Sequence, residues 1–278
     1  MRSVLVRGER GALRPYFRSA RFVSYRGDAE TVLHELGSAS ADCVVTSPPY
    51  FSVRHDLTVP GEIDHETTVD AYVARLARVG RELLRVVKRR GSLWLILGDT
   101  WGRREWLGVP WRVALALGGE GWGLRNEVIW CTPPAQRAAK DRLVPAHEHV
   151  FHFVRGPDAY FDMEAIRLSP GPARASGRGR VPTDVWVVPP DGSAFPDFAV
   201  FPEALAERPI LATCPPEGTV LDPFLGSGTT AAVALRLGRS AVGIDTSTAS
   251  LRFSTGRVRR LLRGAGTRRR PASTPRTR

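Results

Sequence analysis

The sequence predicts an α/β fold in which a mostly parallel, twisted β-sheet carries helices on both faces. Three observations support this: short apolar runs alternate with amphipathic segments of helical period, a glycine-rich loop joins a strand to a helix, and paired prolines end another strand abruptly. With 278 residues, of which 42% are hydrophobic, the chain is long enough for one sizeable core and too short for two large domains.

The clearest strand of the first half occupies residues 41–46 and runs directly into Ser47-Pro48-Pro49-Tyr50. Prolines stop regular structure, so this tetrapeptide is predicted to form a loop at the carboxyl end of the strand. An amphipathic helix is predicted over 69–87, with Thr67 or Thr68 as its cap and Gly91 ending the region. The other elements predicted in this half are a strand at 92–97, a helix around 111–117, and strands around 126–130 and 149–154.

Helices and strands also alternate in the second half of the chain. The predicted elements are a helix at 203–211, a strand at 219–221, a helix at 229–237 and a strand at 241–244. We predict one main domain over residues 21–264, preceded by a basic segment at 1–20. A small insert rich in glycine, proline and arginine, at 155–183, is expected to be exposed and flexible, and the arginine-rich tail at 265–278 is expected to be disordered.

Charge and cysteine content narrow the class of partner. The formal net charge is +12. The chain has only two lysines, Lys88 and Lys140, so nearly all of its positive charge comes from arginine. A charge of this sign and size indicates an acidic partner, either nucleic acid or a membrane surface, or else a merely solvated basic surface. Arginine binds phosphate and guanine edges, which favours nucleic acid. Three widely spaced cysteines agree with a reducing compartment. No apolar run reaches 18 residues and charges interrupt the N-terminus, so we expect a cytoplasmic protein without a membrane partner.

The glycine-rich segment 222–231 lies between a predicted strand and a predicted helix. Gly226, Gly228 and Ala231 match the pattern G-x-G-x-x-A, and Asp245 ends the next strand 19 residues after Gly226. This arrangement is typical of sites for adenosine-containing cofactors, because the glycines allow close approach and the carboxylate can bind ribose hydroxyls. NAD and S-adenosylmethionine share the pattern, but the aspartate that opens the segment favours a positively charged ligand.

Two motifs resemble those of a known family. Thr46-Ser47-Pro48-Pro49-Tyr50 resembles the catalytic motif of methyltransferases that act on amino groups of DNA bases, and segment 222–230 resembles their cofactor motif. The catalytic motif comes first, which is the order of the β group of that family, and the resemblance covers roughly residues 27–245. It implies a Rossmann-like methyltransferase fold in circularly permuted order, S-adenosylmethionine as the cofactor and double-stranded DNA as the substrate.

The resemblance also implies roles for single residues. Asp245 would hold the ribose, Asp28 the adenine amine, and Phe201 would line the methionine end of the pocket. Family members commonly have glutamate where Asp245 stands, so the ribose contact is expected to be similar but shorter. The predicted cofactor-binding residues are Asp28, Phe201, Asp222, Phe224, Gly226, Ser227, Gly228, Thr229 and Asp245.

The proline-rich loop suits chemistry on an exocyclic amine, which is a weak nucleophile because its lone pair is delocalised into the ring. Hydrogen-bond acceptors on its N–H groups draw it toward a tetrahedral geometry, and Ser47 Oγ and the Pro48 carbonyl are the predicted acceptors. Tyr50 is predicted to stack on a base turned out of the duplex, and Pro49 completes the predicted catalytic set. In the family, serine before Pro-Pro-Tyr mostly accompanies N4-methylcytosine, and aspartate or asparagine mostly accompanies N6-methyladenine. We therefore predict cytosine N4 as the target, with adenine N6 as the alternative.

The insert is the expected target-recognition region, and its small size and arginines favour a short site that contains G·C pairs. Pure phosphate contact, without sequence information, is the alternative. The predicted DNA-binding residues are Arg155, Arg167, Arg174, Arg178 and Arg180.

Other features of the sequence allow further interpretations. His147, Glu148, His149 and His152 lie on a predicted strand, where side chains alternate between faces, so no convergent metal site is expected. Cys214-Pro215 has the reverse order of the cytosine C5-methylation nucleophile motif. Trp101 and Trp106 are core or DNA-contact candidates. An inactive DNA-binding regulator, a nucleotide-dependent oxidoreductase and an RNA methyltransferase are the competing functions, and a homodimer and a cognate restriction enzyme are left open as partners.

Overall fold

The computed structural model describes residues 13–51, 63, 66–102, 104–132, 140–168, 179–189 and 200–266. The helices in these ranges are α1 (Ala29–Glu35), α2 (Val69–Val86), α3 (Val109–Gly119), α4 (Glu203–Thr213), α5 (Thr229–Arg236) and α6 (Thr248–Gly266). The strands are β1 (Phe17–Arg18), β2 (Phe22–Arg26), β3 (Ala41–Thr46), β4 (Val87–Leu97), β5 (Trp101–Gly102), β6 (Glu105–Trp106), β7 (Gly123–Cys131), β8 (His147–Val154), β9 (Val185–Val187), β10 (Thr219–Asp222) and β11 (Ser240–Asp245). None of the described helices is both long enough and apolar enough to span a bilayer.

Within the described residues, the main sheet has nine strands in the order β1-β2-β11-β10-β3-β4-β8-β7-β9. The strands from β2 to β4 in this order run parallel to one another. β8 is antiparallel to both β4 and β7, whereas β9 is parallel to β7. The predicted mostly parallel sheet is therefore confirmed, with antiparallel pairing toward one side and at the β1 edge.

Alternate residues of the central strands feed two buried clusters on opposite faces of the sheet. On β3, Val44 belongs to a cluster that contains apolar residues of α1, α2 and α3. Its neighbours Cys43 and Val45 belong to a second cluster with residues of α4, α5 and α6. Because side chains alternate along a strand, both faces are apolar and both need a helical layer, so the predicted helices on both faces are confirmed.

Local capping explains where several helices begin. Thr68 caps α2 by accepting a hydrogen bond from the Ala71 N–H at 3.2 Å, which settles the choice between the two candidate threonines. Asp99 accepts hydrogen bonds from the N–H groups of Gly108 and Val109 at 3.0 and 2.9 Å, and thereby fixes the start of α3. That contact also holds the loop after β4 against the helix that follows it.

The structure corrects the boundary expected at Gly91. The helix α2 ends at Val86 and β4 begins at Val87, so Gly91 lies inside a strand. A Cβ on Gly91 would come within 2.7 Å of the Asp42 carbonyl oxygen, next to the irregular register between Ala41 and Cys43. The glycine therefore permits a close backbone approach at a bulge.

Sequence patterns did not reveal β1, β2, α1, β9 or α6. Residues 169–178 of the insert lie outside the described residues, and the part before them contacts the domain. Asp162 N–H donates to the Ala212 carbonyl at 2.7 Å, and Leu168 pairs with Arg180 in an isolated bridge. α6 continues to Gly266, two residues beyond the predicted end of the main domain.

Candidate active site

The parallel strands β2, β11, β10, β3 and β4 end at one edge of the sheet, and the predicted catalytic and cofactor motifs follow them there. The proline-rich loop follows β3, the glycine-rich loop follows β10, and Asp245 ends β11. In open α/β sheets, ligands bind outside the carboxyl ends of the strands. β8 starts at this same edge, because it is antiparallel to β4 and pairs His149 with Leu97.

Asp222 joins the two motifs. Its buried carboxylate accepts a hydrogen bond from Thr46 Oγ1 at 2.7 Å and another from the Phe224 N–H at 3.1 Å. Burial raises the pKa of Asp222 to about 6, although hydrogen bonds from Thr46, Thr230 and the Phe224 N–H act in the opposite direction. Thr230 Oγ1 also donates to the Val45 carbonyl at 3.1 Å, so the catalytic and cofactor loops are held together by polar contacts on adjacent strands.

The glycines of the cofactor loop adopt left-handed conformations, with φ of 50° at Gly226 and 76° at Gly228. The space beside Gly226 is open, since its virtual Cβ has no neighbour nearer than the Phe224 carbonyl oxygen at 3.9 Å. At Gly228, a Cβ would lie 2.7 Å from the Cβ of Ser254 on α6. Gly226 therefore leaves backbone accessible to a ligand, and Gly228 allows α6 to pack against the loop.

Asp245 is already engaged with the loop that it was predicted to complement. Its Oδ2 accepts from the Gly226 N–H at 2.7 Å, and its Oδ1 accepts from the Ser247 N–H at 2.8 Å. The carboxylate is half-buried, and its contact with the ribose stays a prediction.

Ser227 and Thr229 are buried, and their hydroxyl oxygens lie 3.1 Å apart. Arg257 Nη1 of α6 donates to Thr229 Oγ1 at 3.1 Å. Thr229 and Phe201 share a cavity of about 490 Å³ with Arg257 and Glu203. Two of the predicted cofactor residues therefore line one cavity, at the start of α5.

Asp28 follows β2 at the same edge and caps α1 by accepting from the Thr31 N–H at 3.1 Å. Its second oxygen pairs with Arg75 at 3.0 Å. Asp28 therefore has a structural task besides the adenine contact that the resemblance implies.

Phe224, another of the predicted cofactor residues, is half-buried. It packs against the core cluster beneath α1, α2 and α3.

The catalytic loop is fixed along its length. Pro48 is buried, and Tyr72 of α2 donates its hydroxyl to the Pro49 carbonyl at 2.8 Å. The ring of Tyr50 lies against Gly98, where a Cβ would come within 2.8 Å of Tyr50 Cε2. Thr100 Oγ1 donates to the Phe51 carbonyl at 2.8 Å. The loop after β4 therefore supports the catalytic loop from its neighbouring strand.

The hydroxyl of Tyr50 meets a residue to which the sequence analysis gave no role. Ser47 Oγ donates to the Tyr50 hydroxyl at 3.3 Å, and that hydroxyl donates to Glu148 Oε2 at 2.5 Å. Burial raises the pKa of Glu148, opposed by the Tyr50 hydrogen bond and by His149. In the sequence, the available signal is a carboxylate between two histidines, in a segment that belongs to the family resemblance.

The other residues of that cluster take separate positions. His152 stacks on Trp94 with ring centroids 4.1 Å apart and lies 3.2 Å from Ser92 Oγ, and burial lowers its pKa to about 3. His149 Nδ1 lies 2.7 Å from Glu127 Oε1. Among the described residues, no group of three histidine, cysteine or acidic side chains is arranged to hold a metal ion. Cys214 is buried in the core, and burial raises the pKa of its thiol.

The three described members of the predicted DNA-binding set are not brought together at the edge of the sheet that carries the catalytic loop. Arg155 follows β8 and donates to the Val87 carbonyl at the start of β4, which is the opposite edge of the sheet from Tyr50. Arg167 pairs with Glu164 at 2.9 Å, and Arg180 is exposed on the facing segment. Arg174 and Arg178 lie outside the described residues.

Trp101 and Trp106 pair with each other across the β5–β6 hairpin, with ring centroids 5.4 Å apart. The guanidinium of Arg142 lies 4.2 Å above the Trp101 ring, and Trp106 is 40% exposed. The hairpin follows β4, so an aromatic and basic surface adjoins the catalytic loop. Contact of both tryptophans with DNA stays a prediction.

Comparison with known proteins identifies the family. The model of the DNA methylase family matches residues 41–254, which include both loops and every strand that carries them. The chain belongs to this family. The Type II methyltransferase M.SmaI of Serratia marcescens is 36% identical over 249 residues, which cover 79% of this chain and 84% of that protein. The resemblance inferred from the two motifs is thereby confirmed.

Solved structures support the fold of this DNA methylase. PvuII DNA methyltransferase (cytosine-N4-specific) superposes with a TM-score of 0.72 at 21% identity, covering 87% of this chain and 88% of that one. A putative DNA modification methylase of Thermus thermophilus, solved in complex with S-adenosyl-L-methionine, gives a TM-score of 0.62 at 27% identity and covers 88% of this chain and 97% of its own. The predicted methyltransferase fold is confirmed.

Proposed function

We propose that this DNA methylase transfers a methyl group to the exocyclic N4 amine of cytosine in double-stranded DNA. The cofactor is S-adenosylmethionine, which supplies the methyl group on a positively charged sulfur. The residues present fit this cofactor: two aspartates, Asp222 and Asp245, end adjacent parallel strands, and Gly226 leaves open space beside the loop between them. Carboxylates favour a cationic ligand, and accessible backbone permits its close approach.

One observation carries the proposal. Thr46 Oγ1, immediately before Ser47, is hydrogen-bonded to Asp222 at the head of the cofactor loop. A methyl donor held by the cofactor loop and an amine held by the catalytic loop would therefore be neighbours, and positioning of two reactants supplies much of the rate in such transfers.

Within the catalytic loop, Ser47 is the residue that selects cytosine in this proposal. Its hydroxyl is half-buried and donates its proton to Tyr50, so its lone pairs are available to accept an N–H of the target amine. The Pro48 carbonyl is the second acceptor. Turning the base out of the duplex would give these groups access to an amine that is otherwise paired.

The product test is direct. DNA incubated with the protein and S-adenosylmethionine is digested to nucleosides and analysed by mass spectrometry. N4-methyldeoxycytidine is the expected product. N6-methyldeoxyadenosine as the sole product would overturn the cytosine assignment and support the adenine alternative. An absence of methyl transfer would favour the inactive regulator, and transfer to RNA alone would favour an RNA methyltransferase.

Ser47→Ala provides the residue-level test. We expect turnover to fall by about 100-fold, because a positioned acceptor for the reacting amine is lost. Affinity for S-adenosylmethionine, measured by calorimetry, should stay unchanged because the cofactor residues lie on other strands. Normal methylation by the variant would make Ser47 structural and remove the argument for cytosine that rests on it.

The remaining partner assignments stay predictions. They are a cognate restriction enzyme and a homodimer. The five DNA-binding arginines and the cytoplasmic location also stay predictions. Sequencing of DNA from cells that express the protein, with detection of modified bases, would define the recognition site.

A further inference from the structure

Three oxygen atoms form a continuous hydrogen-bonded chain from the catalytic loop into the sheet. Ser47 Oγ donates to the Tyr50 hydroxyl at 3.3 Å, and Tyr50 donates to Glu148 Oε2 at 2.5 Å. Each hydroxyl therefore points its O–H group along the chain in the direction of the carboxylate. A carboxylate accepts without donating, so Glu148 fixes the direction of both hydrogen bonds.

The register of the sheet puts Glu148 in this position. β8 pairs antiparallel with β4, and its first residues therefore lie beside the carboxyl end of β4. Glu148 is half-buried there, 98 residues from Tyr50 in the sequence. The Tyr50 ring packs against Gly98, which follows β4. The ring is therefore supported on one side, and its hydroxyl is held by Glu148.

We propose that Glu148 is a positioning residue for methyl transfer that orients Ser47 through Tyr50 and takes up the proton released by the reaction. This inference rests on the proposed function, because it requires an amine bound at Ser47. Nothing in the proposal requires Glu148 to touch the DNA base or the cofactor.

The step balances along this chain. The C–N bond to the target amine forms while the C–S bond of the methyl donor breaks, and the methylated nitrogen then carries one proton in excess. That proton passes to Ser47 Oγ, the Ser47 proton passes to Tyr50, and the Tyr50 proton passes to Glu148. Glu148 ends as a neutral carboxylic acid and returns its proton to solvent when the product leaves.

The groups around Glu148 agree with proton uptake. Burial raises its pKa above the ordinary glutamate value, which favours the protonated product state. Tyr50 from the catalytic loop donates to it, and His149 from its own strand lowers its pKa. Tyr72 of α2 raises the pKa of Tyr50 electrostatically. Glu127 of β7 is hydrogen-bonded to His149. The protonated fraction of Glu148 should therefore limit the rate at low pH.

Glu148→Gln is the first test, since it keeps the shape of the side chain and removes its ability to take up a proton. Single-turnover methylation of DNA should slow by about 100-fold, as for loss of a positioned base. Affinities for S-adenosylmethionine and DNA should stay unchanged. The wild-type rate should rise with pH through the Glu148 ionisation, and the variant should lack that limb of the profile.

Glu127→Gln is the matched control. Glu127 is a carboxylate on the adjacent strand of the same sheet, and it contacts His149 instead of Tyr50. Its variant should methylate at close to the wild-type rate, since the hydrogen bond of Glu127 goes to His149 and not to Ser47, Tyr50 or Glu148. An equal loss in both variants would indicate a general change of charge at this edge and would overturn the relay.

A readout independent of activity uses protein that contains 3-fluorotyrosine, with the Tyr50 resonance assigned by its disappearance in Tyr50→Phe. Glu148→Gln should shift that ¹⁹F resonance, and Glu127→Gln should not. Tyr50→Phe should also slow single-turnover methylation, and in its background Glu148→Gln should have no further effect on rate. Multiplicative losses, or a full wild-type rate in Glu148→Gln, would overturn the proposal.

The Tyr50→Phe series keeps the test decisive if Glu148→Gln does not fold, because wild-type activity in Tyr50→Phe would by itself contradict the relay. Failure of the proposed function is recognised separately, as an absence of methylation by the wild-type protein or as a product other than N4-methylcytosine.

Discussion

At the scale of single residues, the active edge depends on carboxylates with different surroundings. Asp222 is buried and accepts from Thr46 and Phe224, whereas Asp245 is half-buried and accepts from Gly226 and Ser247. The first joins the two loops, and the second shapes one of them. Their separate environments lead to separate predictions.

Asp222→Asn should change how stability depends on pH. The folded-state pKa of Asp222 is about 6, above its ordinary value of 3.8, so the folded protein binds the proton more tightly than the unfolded chain. Its contribution to stability is therefore present below pH 3.8 and lost as the pH rises through about 6. Urea unfolding of wild type and of Asp222→Asn measures this effect. The free energy of unfolding of wild type, relative to that of the variant, should fall as the pH rises across this window. Parallel pH profiles would contradict the assignment.

Asp245→Ala should weaken S-adenosylmethionine binding by about 1–3 kcal/mol, the range for losing charge-assisted hydrogen bonds. Two causes are possible: loss of a contact with the ribose, or loss of the contacts that hold the loop. Calorimetry distinguishes them when the demethylated form of the cofactor is compared with an analogue of it that lacks a ribose hydroxyl. If Asp245 holds the ribose, the analogue binds more weakly than the demethylated cofactor to wild type but equally to the variant. A uniform loss for both ligands would assign Asp245 to holding the loop alone.

At the scale of elements, backbone conformation constrains the start of α5. The glycine-rich loop must turn with positive φ at Gly226 and Gly228, and α6 packs directly on the second of these. The cap of α5 is Gly228 itself, without a side-chain hydrogen bond, so backbone conformation alone sets the entry to the helix.

Gly228→Ala should destabilise the protein more than Gly226→Ala. Both substitutions strain a left-handed residue by about 1–2 kcal/mol. Only at Gly228 would the new Cβ also meet Ser254, at 2.7 Å, whereas at Gly226 the space is open. Thermal unfolding of the two variants measures the difference. Equal unfolding temperatures would contradict this expectation, because they would mean that α6 moves away from the new Cβ without loss of stability.

At the scale of the whole molecule, we expect the excess of arginine to govern the long-range attraction to DNA. The net charge of +12 is distributed unevenly, since no acidic residue follows Asp245 in the sequence. A basic terminal segment acts through phosphate charge and the release of counterions, and it carries no base-specific information.

Deletion of residues 265–278 should therefore flatten the salt dependence of DNA affinity and leave the methylated sequence unchanged. The slope of log affinity against log salt should decrease by about 0.9 for each phosphate contact that is lost. Fluorescence anisotropy over a salt series measures the slope, and sequencing of the methylated product identifies the site. A shifted target sequence would show that the tail contributes to recognition.

Local sequence determined the two functional loops, the strands that precede them, and the family. Prolines and glycines impose their backbone preferences wherever they occur, so Ser47-Pro48-Pro49-Tyr50 and the segment 222–231 were recognisable without neighbours. β2 and α6 were missed because their local patterns are weaker: β2 is short and mixes polar with apolar residues, and α6 intersperses its buried positions with arginines.

Tertiary structure alone decided which distant residues meet. Glu148 reaches Tyr50 because β8 pairs antiparallel with β4, and Arg155 lies at the opposite edge because it follows the other end of that same strand. Asp28 pairs with Arg75 through the packing of α1 on α2. Sheet order and strand register depend on the burial of both sheet faces together, a non-local energy that no segment of the sequence specifies by itself.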